Sequence, residues 1–475
     1  MRSLRALWIL GLLLVVPAGA QDREDEPMKL ARLAMEAQMK VGDLLHQKGD
    51  HAGALEAYRR ALAIYEKAAA RGDVDEIVLQ EELPEEEIVE EPIETEEIEE
   101  EPLETEAVPA GRTARDVRGR ASATENAVEL GLDWLARHQD EDGRWDCDGF
   151  MKHDPADDKC DGPGGAFHDV GVTGLATLAF LGAGFTDRGD AKANPHAKTV
   201  ARALAHLASV QADDGVLGTR KTHSFMYNHA MGTLALCEAL WLTRDPKYRR
   251  PAKKAVDFIQ HARNPYLAWR YEPRGGENDT HVTTWCVAAL TSAKFAGLEV
   301  DPGNFAGALA WYEKMTDPNF GQVGYNYPGG TVCRMEGLFD RYPPENSQAI
   351  TAAAIFGRVL CGEDPRRKEV VRKGADLCIE LAPSWNPDDG SIDMVFWYWG
   401  TLAMFQMGGV HWRKWNGAMK AAIVKSQHQK GSGTRTGSWD PIDAWGSEGG
   451  RVYSTAMMTL CLEVYYRYDR VFGVR

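Results

Sequence analysis

The 475-residue sequence has no excess of basic charge: 54 Lys and Arg stand against 71 Asp and Glu, a net charge of −17. No cationic surplus is left to neutralise a phosphate backbone, which excludes nucleic acid as an expected partner. The acidity itself is local. Residues 81–106 hold 15 Glu and no Asp, Lys or Arg, leaving −2 of the −17 for everything else. The eight cysteines include no C-x-x-C pair, so the common signature of a structural zinc site is missing. Beyond the N-terminus no apolar run is long enough to cross a bilayer. Hydrophobic residues make up 44% and charged residues 26%, which excludes whole-chain disorder, a collagen-like fibre and a multi-span membrane protein.

The first 20 residues read as a secretory signal. Arg2 and Arg5 precede an apolar run at 7–16, and Ala18-Gly19-Ala20 offers a small-residue cleavage site. The expectation is export to the periplasm, cell envelope or medium, with no transmembrane span in the mature chain. Disulfides persist in such compartments. Cys147 and Cys160 flank a short acidic loop and are the candidate pair. Cys237, Cys286, Cys361, Cys378 and Cys461 fall in apolar helical patterns and read as buried small hydrophobes.

Residues 27–71 carry two helical periods. Gly42, Gly49, Ala54, Tyr58 and Ala61 stand at the spacing of a tetratricopeptide repeat, which this segment resembles. One such unit cannot bury its own apolar face, so it is a candidate arm for a protein partner. Residues 72–121 form a linker in which EEPIETE at 90–96 recurs as EEPLETE at 100–106. Like charges, Pro and the lack of aromatics predict an extended, disordered spacer.

Residues 122–475 carry the fold. Six segments that are apolar all round begin near Val170, Met226, His281, Ser347, Met394 and Val452. Each follows a more amphipathic stretch, at 127–138, 200–210, 252–262, 305–315, 370–381 and 412–426. Helices apolar on every side want full burial; amphipathic ones want one wet face. The pattern predicts an all-α domain: a six-hairpin α/α toroid, inner helices apolar and outer helices amphipathic. The outer-to-inner loops at 139–168, 263–279, 316–345 and 427–449 are long, and all must lie on one rim. Long irregular loops in a compact domain point to function. That rim gathers His168 and Asp169, Tyr227 and His229, Asp279 and His281 with Trp285 one turn in, Glu336, Asp393 with Trp397 and Trp399, and Arg451 with Tyr453. These are the candidate ligand-binding residues.

The turns after the outer helices share a signature: Trp134-Leu135, Gln139, Gly143, Trp145; then Leu207, Gln211, Gly215; then Gln427, Gly437, Ser438, Trp439. This resembles the QW repeat of squalene–hopene cyclases and of protein prenyltransferase β subunits. With Gly437 to Pro441 and Gly449 to Tyr468 added, the chain is similar to exported bacterial prenyltransferase/squalene-oxidase-repeat proteins of unknown activity. The resemblance implies one toroid, with Gln and Trp tying neighbouring hairpins together. It also supplies tests. Cyclases of the family protonate an alkene with a D-x-D-D-T motif; the matching place reads Glu277-Asn278-Asp279-Thr280, without the upstream pair of carboxylates. Prenyltransferases hold zinc with D-x-C and a later His; here Asp279-Thr280-His281 lacks the Cys, leaving Asp279, His281 and His229 as the candidate metal set. No cofactor is implied. The expectation is a rim that binds an apolar, isoprenoid-like ligand or a peptide. The alternative is an enzyme in which Asp279 and His281 are catalytic, cyclase-like or glycan-cleaving with a second acid among Asp169, Glu336 and Asp393.

Overall fold

The computed structural model describes residues 122–467, apart from Ala191, His223, Tyr266, Thr331, Val332 and Met335. The signal at 1–20, the tetratricopeptide-like hairpin at 27–71 and the linker at 72–121 lie outside the described residues. No helix among those described is long and apolar enough to cross a membrane.

Among the described residues twelve main helices follow one another in outer–inner pairs. The outer helices are α1 (Ala123–Arg137), α3 (Ala197–Ser209), α5 (Arg249–Ala262), α7 (Gly303–Met315), α9 (Glu369–Glu380) and α11 (Gly409–Ser426). The inner helices are α2 (Asp169–Gly182), α4 (Phe225–Thr243), α6 (Thr280–Phe295), α8 (Ala349–Leu360), α10 (Met394–Met407) and α12 (Gly446–Leu462). The expected boundaries hold to within a few residues except at α12. There the helix continues back through a kink at Gly450, which has φ 64°.

Each inner helix packs on the inner helix before and after it, and α12 packs back on α2. Outer helix α11 likewise meets α1. The chain is therefore a closed α/α toroid. Residues that are apolar around the whole circumference make this possible: every residue of α2 from Gly171 to Gly182 is buried, while α9 buries Val371, Gly374, Ala375 and Cys378 along one stripe.

The Gln–Gly–Trp signature is the closing device. The Gln139 side-chain amide donates to the carbonyls of Gly143 and of Thr199 on α3, both at 2.9 Å. Gln211 does the same to Gly215 and to Pro251 on α5, and Gln427 to Gly437 and to Ala127 on α1. Each loop thus grips the next outer helix, and the last grips the first. Gly143 and Gly437 sit at φ 95° and 97°, where a Cβ would strike the carbonyls of Arg202 and Leu130. Positive φ and the close approach both demand glycine. The tryptophans work backwards: the indole N–H groups of Trp145 and Trp439 donate to Leu135 and Ile423, at the end of their own outer helices, at 2.7 and 2.8 Å. Trp269 repeats this on Ile259, a third copy hidden because Arg263 stands in place of the Gln and grips the Gly303 carbonyl of α7 at 2.9 Å.

The candidate disulfide is not formed: Cys147 and Cys160 are both free and buried. The Cys147 thiol donates to the carbonyls of Glu448 and Gly449 at 3.3 Å, whereas Cys160 lies beside His138. Cys237, Cys286, Cys378 and Cys461 are buried as expected; Cys361 is half-buried beyond the end of α8.

Candidate functional site: the mouth around Asp279

The long loops place the starts of the inner helices on one rim, as the alternation requires. Asp279 caps α6: its Oδ1 accepts from the Val282 backbone N–H at 2.7 Å. The carboxyl has no exposed surface. Burial is the dominant influence and raises its titration to about 7; the cap bond and the Arg270 guanidinium pull the other way without cancelling it. Its second oxygen is loosely held. The Tyr325 hydroxyl reaches Oδ2 at 3.4 Å and Arg270 Nε stands 3.9 Å away. The Tyr325 and Tyr271 hydroxyls share a short hydrogen bond, and Arg270 lies over the Tyr271 ring at 5.1 Å. Tyr271 is half-buried, so an acid without contact to solvent connects through two phenols to a wet surface.

His281 is fixed in one protonation form by its neighbours. Its Nε2 accepts from the indole N–H groups of Trp285, at 3.2 Å, and Trp399, at 3.0 Å. An indole nitrogen can only donate, so Nε2 must carry the lone pair and Nδ1 the proton, which it gives to Tyr227 Oη at 3.2 Å. Burial lowers the ring's titration to about 4, with Asp393 opposing. Trp285, Tyr398 and Trp399 pack on one another, with ring centroids 4.6 to 5.6 Å apart and at most 3% exposure. They come from α6 and α10, which are not neighbours in the ring. Their contact therefore spans the barrel interior and forms a floor beneath the mouth.

The structure thus brings together Tyr227, Asp279, His281, Trp285 and Trp399. It adds Arg270, Tyr271, Tyr325 and Cys333, none of which the sequence singled out. Cys333 is half-buried, and its thiol is raised by burial and by the charges of Asp393 and Asp279, against Arg334. Across the mouth, Asp393 caps α10 through Phe396 N–H, while its other oxygen accepts from Arg334 Nη2 and Ser347 Oγ, each at 2.8 Å. Tyr453 donates to Asp443, a buried acid raised to about 7 by burial and by Asp393. Both Asp443 oxygens are committed, Oδ2 also to Met394 N–H and Oδ1 to Trp445 N–H.

Other candidates lie elsewhere or serve as struts. His229 accepts from Leu217 N–H at Nδ1 and donates from Nε2 to Ala255 O on α5, so both nitrogens are used in tying α4 to its own loop and to the next outer helix. Among the described residues His229, Asp279 and His281 form no metal-ligand group, which corrects the candidate metal set. His168 pairs with Glu448 at 2.9 Å. Asp169 accepts from Cys147 N–H at 2.9 Å and faces Arg144 at 3.3 Å. Arg451 is buried against Asp161, Ser438 and Asp440, a seam strut and not a ligand contact. Trp397 packs on Trp385. The Glu336 side chain lies outside the described residues. Among the described residues no second carboxylate joins Asp279: Glu277 is exposed and paired with Arg270, and the Asn278 side-chain oxygen accepts from Asn264 and Ala268.

No family profile and no curated protein matches the sequence. Among solved structures the chain is similar to an α-amylase from Clostridium perfringens, at 12% identity over 71% of this chain and 98% of that one, TM-score 0.47. It is similar to a family 76 glycoside hydrolase (mannosidase) from Bacteroides thetaiotaomicron, at 10% identity over 74% and 99%, TM-score 0.46. It is also similar to a cellobiose 2-epimerase from Bacillus thermoamylovorans, at 16% identity over 72% and 97%, TM-score 0.47. At these values the likenesses bear on neither substrate nor chemistry. What the chain's own helices establish is an α/α toroid whose mouth holds a buried, weakly committed carboxylic acid.

Proposed function

We propose that the chain is an exported acid–base enzyme that works at the toroid mouth on a small hydroxylated substrate of glycan type. The observation that carries this reading is Asp279: buried, lifted to about 7, and linked by Tyr325 and Tyr271 toward solvent. An acid that titrates near the working pH suits proton transfer to oxygen. It is far too weak to protonate an alkene, and among the described residues no second carboxylate strengthens it, so cyclase chemistry gains no support. In the proposed step Asp279 gives its proton to the Tyr325 oxygen, Tyr325 passes its own to Tyr271, and Tyr271 protonates the leaving oxygen. Water supplies hydroxide to the carbon, and its remaining proton returns along the chain. Three phenol hydroxyls and Arg270 offer hydrogen bonds to sugar hydroxyls, and exposed rings at Phe167 and Tyr327 stand on the same rim. The packed Trp285–Tyr398–Trp399 floor speaks against a deep hollow for an isoprenoid.

The test is a panel of oligosaccharides assayed for release of reducing ends. Turnover should fall as pH rises through about 7, and Asp279→Asn should lose roughly 100-fold or more. No turnover on any member of the panel, or an Asp279→Asn variant at full rate, rejects the enzyme reading. An isoprenoid seen by native mass spectrometry on protein from the source envelope would restore the ligand-binding one. Export rests on the N-terminal pattern, and an intact residue 1 in the mature envelope form would overturn cleavage after Ala20.

A further inference from the structure

The loop that follows α1 holds a second cluster, remote in sequence from the mouth. His138 Nε2, Asp154 Oδ1 and Cys160 Sγ lie within 4.8 Å of one another, and all three side chains are buried. His138 Nδ1 is 2.8 Å from the Trp134 carbonyl oxygen. That oxygen can only accept, so Nδ1 carries a proton. Nε2 in turn faces Asp154 Oδ1 at 2.9 Å and Cys160 Sγ at 4.0 Å. A neutral ring has one proton and here meets two acceptors. A second ring proton or a metal ion at Nε2 resolves the conflict.

We infer that His138, Asp154 and Cys160 form a binding site for a divalent transition metal of the zinc class. A nitrogen, a carboxylate oxygen and a sulfur are the donors that borderline-soft Zn²⁺ takes. Bonds of about 2.0–2.3 Å in a tetrahedron set donor atoms roughly 3.3–3.8 Å apart. The observed 2.9 and 4.0 Å straddle that range, so small side-chain shifts suffice. On binding, the Cys160 thiol releases its proton to solvent and the sulfur ligates as thiolate. Water takes the fourth corner.

The supporting groups are already in place. The Trp134 carbonyl orients the imidazole from behind, and Cys160 N–H holds Asp154 Oδ2 at 2.9 Å. The Trp134 ring stacks on His138 at 4.0 Å and Phe150 closes the edge at 5.8 Å. The site also stands at the seam of the toroid. Trp134 Nε1 donates to Thr434 O, Thr434 N–H to Asp158, and Arg137 to Thr436 O, joining the first outer helix to the last long loop. A metal there would clasp loop 139–160 to the place where the ring closes.

The test uses the untagged full chain, stripped with chelator, desalted, and titrated with Zn²⁺ alone or Co²⁺ alone. The expected result is one equivalent bound, a rise in Tm of about 5 °C or more with Zn²⁺, and a thiolate-to-cobalt charge-transfer band with Co²⁺. Cys160→Ser should abolish the band and weaken Zn²⁺ binding at least ~10-fold, while Cys147→Ser leaves both intact. In the unmutated chain Zn²⁺ should slow alkylation of Cys160 and leave the half-buried Cys333 unaffected, a readout that needs no variant to fold. Absence of stoichiometric binding, a band that survives Cys160→Ser, or alkylation of Cys160 indifferent to Zn²⁺ would each overturn the site. His138 and Asp154 would then be a plain imidazolium–carboxylate pair.

Discussion

Asp279 and Asp393 do the same local job at the starts of two inner helices, α6 and α10, with α8 between them. Each caps an inner helix by accepting from the N–H three residues on, at 2.7 and 2.9 Å. Their second oxygens differ. Asp393 hands its to a buried guanidinium and a hydroxyl, both at 2.8 Å; Asp279 has a phenol at 3.4 Å and a guanidinium at 3.9 Å. A capping aspartate is structural by default. What separates a strut from a reactive group is how fully its other oxygen is spent.

Substitution should expose that difference most strongly. Asp393→Ala leaves Arg334 buried without its partner and should cost about 3–5 kcal/mol in urea unfolding. Asp279→Asn keeps a capping oxygen and should cost less than about 1 kcal/mol at neutral pH. Equal losses would erase the distinction.

The pH dependence sharpens it. Asp279 titrates near 7 when folded, against an ordinary value of 3.8. The folded state therefore binds this proton more tightly. The stability that it contributes is complete below about 4 and is lost as pH rises through 7. Asp279→Asn should flatten the wild-type fall in stability between those pH values by roughly 2–4 kcal/mol, the burial being complete. A slope unchanged in the variant would show that Asp279 titrates normally.

The closing ties should matter less. Trp439→Phe removes the N–H that satisfies the Ile423 carbonyl, a loss of about 1–2 kcal/mol measurable by thermal unfolding. Smallest of all, Tyr325→Phe removes a donor to Asp279. It should move the carboxyl titration, followed by ¹³C NMR, upward by less than about one unit.

The barrel was readable because its rules are periodic. Stretches such as MVFWYWGTLAMF can be buried on every side and nowhere else, and the Gln, Gly and Trp spacings mark where loops meet helices. The mouth was half readable. Asp279, His281 and Tyr227 announce themselves as helix starts. Arg270, Tyr271, Tyr325 and Cys333 sit on irregular loops, where no period says which way a side chain turns. His229 and Arg451 looked reactive by type, yet their partners, Leu217 N–H and Ala255 O for one and Asp161 and Asp440 for the other, come from distant or unpatterned positions. The His138–Asp154–Cys160 cluster is not legible in the sequence: its spacing matches no common ligand motif, and the acidic loop between Cys147 and Cys160 suggests a disulfide instead.

Because the Gln427 amide grips α1 just as Gln139 grips α3, the circle has no privileged starting point. Helices α12 and α1 are packed against each other, so a short peptide could bridge them. A gene rearranged to begin at the single-glycine return before α11 should encode the same wheel with a different cut. The order in which its spokes are synthesised would then be free to vary while the hub stays fixed.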